Sequence, residues 1–154
     1  MLRITLASFH LIALGLGLGA VIARGTQLRG PPTAAALQRV FRSDALWGTA
    51  AALWIATGLW RFFAMTEKPR DYYLVNHLFY LKMTLLLLIL LLEIGPMVTL
   101  IRWRIALRSG IAAELLATPK AVKRIMIISH TQALLVVVMV FAAVGMARGY
   151  GLVE

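Results

Sequence analysis

No cysteine occurs anywhere in the 154 residues of this chain. That excludes thiolate zinc sites, iron–sulfur clusters, disulfides and covalently attached haem. Any metal or cofactor must be held by His, Lys, Met, Glu, Tyr or the backbone. Acidic residues are also scarce, 6 Asp and Glu against 16 Lys and Arg. Catalytic signatures of the soluble kind are missing too. There is no Gly-rich phosphate loop, no nucleophile–base arrangement and no His-Glu-x-x-His helix.

What is present is apolar. The chain is 61% hydrophobic with a mean hydropathy of +0.85, far from an ordinary globular domain. Four apolar stretches account for most of it: residues 4–23, 45–63, 78–101 and 125–147. A hydrocarbon core about 30 Å thick takes about 20 apolar residues to cross as a helix. The segment Met83–Leu92 has no polar face at all. The expected fold is therefore all-α: one domain over residues 1–154, an integral-membrane up-down four-helix bundle with short interfacial helices, surrounded by the lipid bilayer. The first run is too long for the 7–15-residue apolar core of a signal peptide and reads as a span.

The net charge of +10 is a topology signal. With four spans, residues 24–44 and 102–124 share one side and hold ten cations: Arg24, Arg29, Arg39, Arg42, Arg102, Arg104, Arg108, Lys120, Lys123 and Arg124. The opposite side holds Arg3, Arg61, Lys68, Arg70 and Arg148, and Lys82 lies inside a span. Loops rich in Lys and Arg stay in the cytoplasm, which puts both termini outside, in the periplasm of a Gram-negative cell. The same charge matches anionic headgroups, and nucleic acid is not an expected partner.

Gly30-Pro31-Pro32 stops the first helix. Thr33–Arg42, with Leu37, Val40 and Phe41 on one face, suits a short amphipathic helix at the interface, with Ser43 or Asp44 capping the second span. Gly110–Pro119 reads as a second interfacial piece. Trp47, Trp60, Tyr72, Tyr73, Trp103 and Tyr150 fall near span ends, as an aromatic belt does.

Ionisable side chains inside a span cost about 2.5–3.5 kcal/mol each and default to a functional hypothesis. They sort by depth. His10 lies about 10 Å in from the outer face, and Lys82 reaches a comparable depth five residues past His77. Glu93 and His130 both fall in the inner half, roughly 10 Å from His10 in height. His10 is thus expected to meet Lys82. Glu93 is expected to meet His130, as a structural hydrogen-bonded pair or a proton relay. Pro96 frees the carbonyl of Leu92 and predicts a kink with a polar pocket. A metal ion between His10 and His77 is a weaker option, since only two imidazoles are near one another.

The outer layer reads as a cofactor site. His10, Gly17 and Arg24 recur every seven residues on one face, flanked by Gly15 and Gly19. Missing side chains there leave room for a flat macrocycle held by His10. Gly15-x-x-x-Gly19 equally serves close helix packing. Trp47, Trp54 and Arg61 also recur at seven, with Gly58 between them, and Arg61 can meet a haem propionate or snorkel to headgroups.

The segments LASFHLIALGLGLGAVIAR, LWGTAAALWIATGLWRFF, KPRDYYLVNHLFYLKM, LEIGPMVTLIRWR and MARGYG resemble an uncharacterised family of small four-helix bacterial inner-membrane proteins, a domain of unknown function. More distantly, His10 with Gly17, Gly19 and Arg24, and Lys82 before MTLLLLILLLE, resemble the HemJ-type protoporphyrinogen oxidases and the copper-resistance membrane domain. That likeness implies haem b with His10 and Lys82 as iron ligands. The enzymes' Trp-x-x-Gly after the histidine is Gly-Leu-Gly here, and their His beside the lysine is displaced to His77.

Three functions follow as expectations. One is a haem-b protein of electron transfer or tetrapyrrole oxidation, with Gly17, Arg61 and His77 completing the site. Another is a non-enzymatic accessory subunit packing against a larger membrane protein or against itself. The last is a small proton-coupled carrier using Glu93 and His130, for which four spans without an inverted repeat are few.

Overall fold

The computed structural model describes residues 1–65 and 68–152. Its elements are α1 (Leu2–Gln27), α2 (Ala34–Phe63), α3 (Arg70–Leu74), α4 (His77–Arg108), α5 (Ala113–Leu116) and α6 (Pro119–Ala147). The four long helices run up and down in turn. Residues near the start of α1 meet the end of α2 and the start of α4, while the end of α1 meets the start of α2 and of α6. Helix α1 packs most extensively on α2, α4 on α6, and α1 on α6, whereas α2 and α4 have few close backbone approaches and meet through side chains, Phe62 stacking on Phe79 and Trp47 bonding Glu93.

Among the described residues, α1, α4 and α6 are long and apolar enough to cross a membrane. Helix α2 has the length, 30 residues, but its tryptophans, glycines and threonines and Arg61 lower its hydropathy. The expectation of four spans therefore rests, for α2, on its place in the bundle rather than on its composition.

Two expectations are corrected. The amphipathic piece and the second span are one continuous helix, because no proline or glycine interrupts Ala34–Trp47. Its cap is Thr33, whose hydroxyl accepts from the Ala36 N–H, and not Ser43 or Asp44. Leu37, Val40 and Phe41 do form the buried face. Helix α4 likewise stays helical through the buried Pro96, beside which lies a cavity of about 210 Å³ lined in part by Gly95, Thr99 and Arg124. In the 102–124 connection, α5 buries Ala113 and Ala117.

The core is inverted relative to a soluble protein. Small residues lie inside α1 (Ala13, Gly17, Ala20, Gly25), while Phe9, Leu11, Phe141 and many leucines point outward. Lipid-facing side chains need no shelter, and small ones let backbones approach. Two apolar clusters fill the interior. One joins Val21, Trp47, Trp54, Ile89 and Val136; the other joins Leu28, Leu37, Leu100, Trp103 and Ile125. Along every long helix the boundary between them is polar.

At the end opposite the basic loops, the α3 segment ties to the chain's end. Tyr72 Oη donates to the Met146 carbonyl at 2.6 Å, and Asn76 Nδ2 to the Tyr150 carbonyl at 2.9 Å. The His77 N–H donates to Gly151, which holds a positive φ of 84°.

Candidate functional site

The boundary between the two apolar clusters is built around Arg24, whose side chain is fully buried. A guanidinium has five N–H donors in a rigid fork. Here Nε donates to Ser129 Oγ at 3.0 Å, Nη1 to Asp44 Oδ1 at 2.9 Å and Glu93 Oε1 at 2.7 Å, and Nη2 to Glu93 Oε2 at 3.0 Å and Gln132 Oε1 at 2.7 Å. Every donor is used. Glu93 Oε2 also accepts from Trp47 Nε1 at 3.0 Å and Gln132 Nε2 at 2.9 Å, and the same amide donates to the Ile89 carbonyl at 3.1 Å. All four long helices contribute.

The charges nearly balance. Two carboxylates face one buried guanidinium, and the half-exposed Arg104 approaches Asp44 Oδ2 at 4.0 Å. Depth arithmetic expects Arg24 near the inner boundary; the fold adds that its side chain, in the last turn of α1, turns inward among the helices. An unpaired charge there is costly, but bidentate pairing and hydrogen bonds to Ser129 and Gln132 answer it. A sequence signal existed in Ser129 and Gln132, three apart and so on one face of α6.

Glu93 and His130 do not pair. They share a depth, but His130 lies two residues from Gln132 and so faces elsewhere. Its Nδ1 donates to the Met126 carbonyl at 2.7 Å, and its ring fills the space at Gly25, where a Cβ would meet Cε1 at 2.8 Å.

The other polar layer surrounds His10, which is 7% exposed. Its Nδ1 lies 2.9 Å from Thr57 Oγ1, while Thr57 donates its single proton to the Leu53 carbonyl at 2.7 Å. The direction of this bond follows the ring tautomer: with Nδ1 protonated, the threonine oxygen accepts and Nε2 keeps its lone pair. A hydrogen bond at one ring nitrogen fixes the orientation of the imidazole. The ring tilts against Trp54 at 5.7 Å, and Trp54 Nε1 is a buried donor with no hydrogen-bond partner. The charges of Lys82 and Arg61 both reach His10, so these residues share the layer. Lys82 has no acidic partner among the described residues.

The remaining expectations divide. His77 is exposed at the start of α4, five residues from Lys82 and turned away from it. Gly17 does not open a slot for a macrocycle: a Cβ there would meet the Trp47 ring at 3.3 Å. Gly58 makes room for His10 itself, at 3.2 Å. The buried glycines thus admit protein side chains. The imidazole suits a ligand; the glycine cradle does not form. Gly15 and Gly19 face open space on the outside of α1. No group of three or more His, Asp or Glu side chains is placed to hold a metal ion among the described residues.

The profile of a family described as a predicted membrane protein (DUF2214) matches residues 2–151. No curated protein and no solved structure matches the chain. The HemJ likeness rests on the short motifs quoted above and on nothing in these matches.

Proposed function

The chain belongs to the DUF2214 family of predicted membrane proteins, and from that premise we propose that the His10 layer receives a membrane-soluble ligand, haem b for electron transfer or tetrapyrrole oxidation being the case that the sequence puts forward. In this reading all four long helices cross a bacterial inner membrane with both termini in the periplasm. The observation that carries it is the 2.9 Å bond between Thr57 Oγ1 and Nδ1 of the buried His10, which leaves Nε2 as the nitrogen for a ligand. Two further features support it: among the described residues, the buried Trp54 N–H has no hydrogen-bond partner and the Lys82 ammonium has no acid beside it. In this reading His10 and Lys82 are the candidate iron ligands and Arg61 the candidate partner of an acidic substituent. When bound, a haem supplies one-electron chemistry, and the protein orients it.

The test is an absorption spectrum of protein extracted in mild detergent, oxidised and reduced. A Soret band that His10→Ala abolishes, and that Thr57→Val weakens but Thr57→Ser retains, is the expected result. Colourless protein with iron at background removes haem.

A second reading is favoured by Arg24, whose donors are all satisfied within the chain. Such a lock makes a rigid body, suited to a non-enzymatic subunit of a larger membrane complex. Its sign is colourless protein that co-purifies stoichiometrically with partner chains.

A further inference from the structure

At the basic end of the bundle, a cavity of about 550 Å³ opens between the α1–α2 turn and the start of α6. That size falls within the ~300–1,000 Å³ of small-molecule sites. Its floor is apolar, with Leu37, Val40 and Met126. Its rim carries Arg29, Lys123 and Glu114, all exposed. None of these three side chains has a hydrogen bond or ion pair among the described residues. Ala36 in the first turn of α2 and Pro119 in the first turn of α6 also line it, which brings two positive helix ends to the same wall.

The cavity starts where the apolar run of α1 ends, at Gln27 and Leu28. For a chain embedded in lipid, that is headgroup level. Two cations outnumber one acid there, beside an apolar floor. A free anion would use the rim and leave the floor wet. A zwitterionic headgroup would set a quaternary ammonium against the same two cations.

We propose that this cavity binds an anionic phospholipid. The phosphodiester sits between Arg29 and Lys123, the headgroup hydroxyls lie toward Glu114, and the first part of an acyl chain lies on Leu37, Val40 and Met126. The site is separate from the His10 layer and does not depend on any ligand there.

The experiment is thermal unfolding of the detergent-solubilised full chain with short-chain phosphatidylglycerol, short-chain phosphatidylcholine or inorganic phosphate, with native mass spectrometry reading retained lipid. Phosphatidylglycerol is expected to raise the midpoint by about 3 °C or more over phosphatidylcholine. Arg29→Gln with Lys123→Gln should abolish that difference and the retained lipid. Arg39→Gln with Arg102→Gln, which removes the same charge outside the cavity, should keep both, and Glu114→Gln should enlarge the shift. Equal effects of the two lipids, or a difference that survives the Arg29/Lys123 change, overturn the proposal. Stabilisation by inorganic phosphate alone overturns the lipid assignment as well.

Discussion

Arg24 and Glu93 meet through two parallel hydrogen bonds of 2.7 and 3.0 Å between α1 and α4, two helices otherwise joined mainly through α6. The fork fixes the relative height of the two helices, because a shift of one residue, about 1.5 Å, breaks both bonds. Ser129 and Gln132 extend the constraint to α6, and Asp44 and Trp47 to α2.

Removing the guanidinium leaves two buried carboxylates and several stranded donors and acceptors. Arg24→Leu is expected to cost about 3–5 kcal/mol. Denaturant unfolding in detergent measures this. The double variant Arg24→Met/Glu93→Met should recover more than half of the loss, since Asp44 then keeps Arg104 within 4.0 Å. A single variant as stable as wild type would contradict the role given to the cluster.

Lys82 is expected to behave in the opposite way. With no acid beside it, its ammonium bears part of the insertion cost of about 2.5–3.5 kcal/mol for a charge in a span. Lys82→Met should therefore raise the unfolding midpoint while lowering occupancy of any ligand in the His10 layer. A destabilised variant would mean that Lys82 has a structural partner.

Glycine substitutions should separate inward from outward faces. Gly25→Ala drives a methyl to 2.8 Å from the His130 ring and is expected to destabilise despite the better helix propensity of alanine. His130→Ala should rescue it. Gly15→Ala and Gly19→Ala meet nothing within 4 Å and should stabilise the isolated chain slightly. Any loss they cause in cells points to a partner helix, and pull-down yields measure it.

The lack of cysteine makes topology directly readable. Single cysteines at Arg3 and Asp71 are expected on one side of the membrane, and those at Arg29 and Glu114 on the other. Membrane-impermeant thiol labelling of intact and opened cells decides it. Arg29 and Asp71 labelled from the same side would mean that α2 does not cross.

The buried face of α1 was legible in advance: His10, Gly17 and Arg24 recur at seven and all three are buried. The long helices were legible too, since apolar runs without interruption admit no other backbone in lipid. Depth also put His10 and Lys82 forward as neighbours in one layer. What depth could not supply was azimuth. Glu93 and His130 share a height yet face different neighbours, while Gln132 turns toward Glu93.

The sequence by itself determined that this chain is helical, lies in a membrane and cannot use thiolate ligands, because composition and run length fix the solvent and the backbone's way of satisfying itself. Only the tertiary structure decided that Arg24 is a buried hub instead of a headgroup anchor. It also decided that the glycines beside Trp47, His10 and His130 are filled by those rings. A long, flexible cation can reach water or a carboxylate with similar ease, and the choice is made by which side chains the neighbouring helices present at its tip.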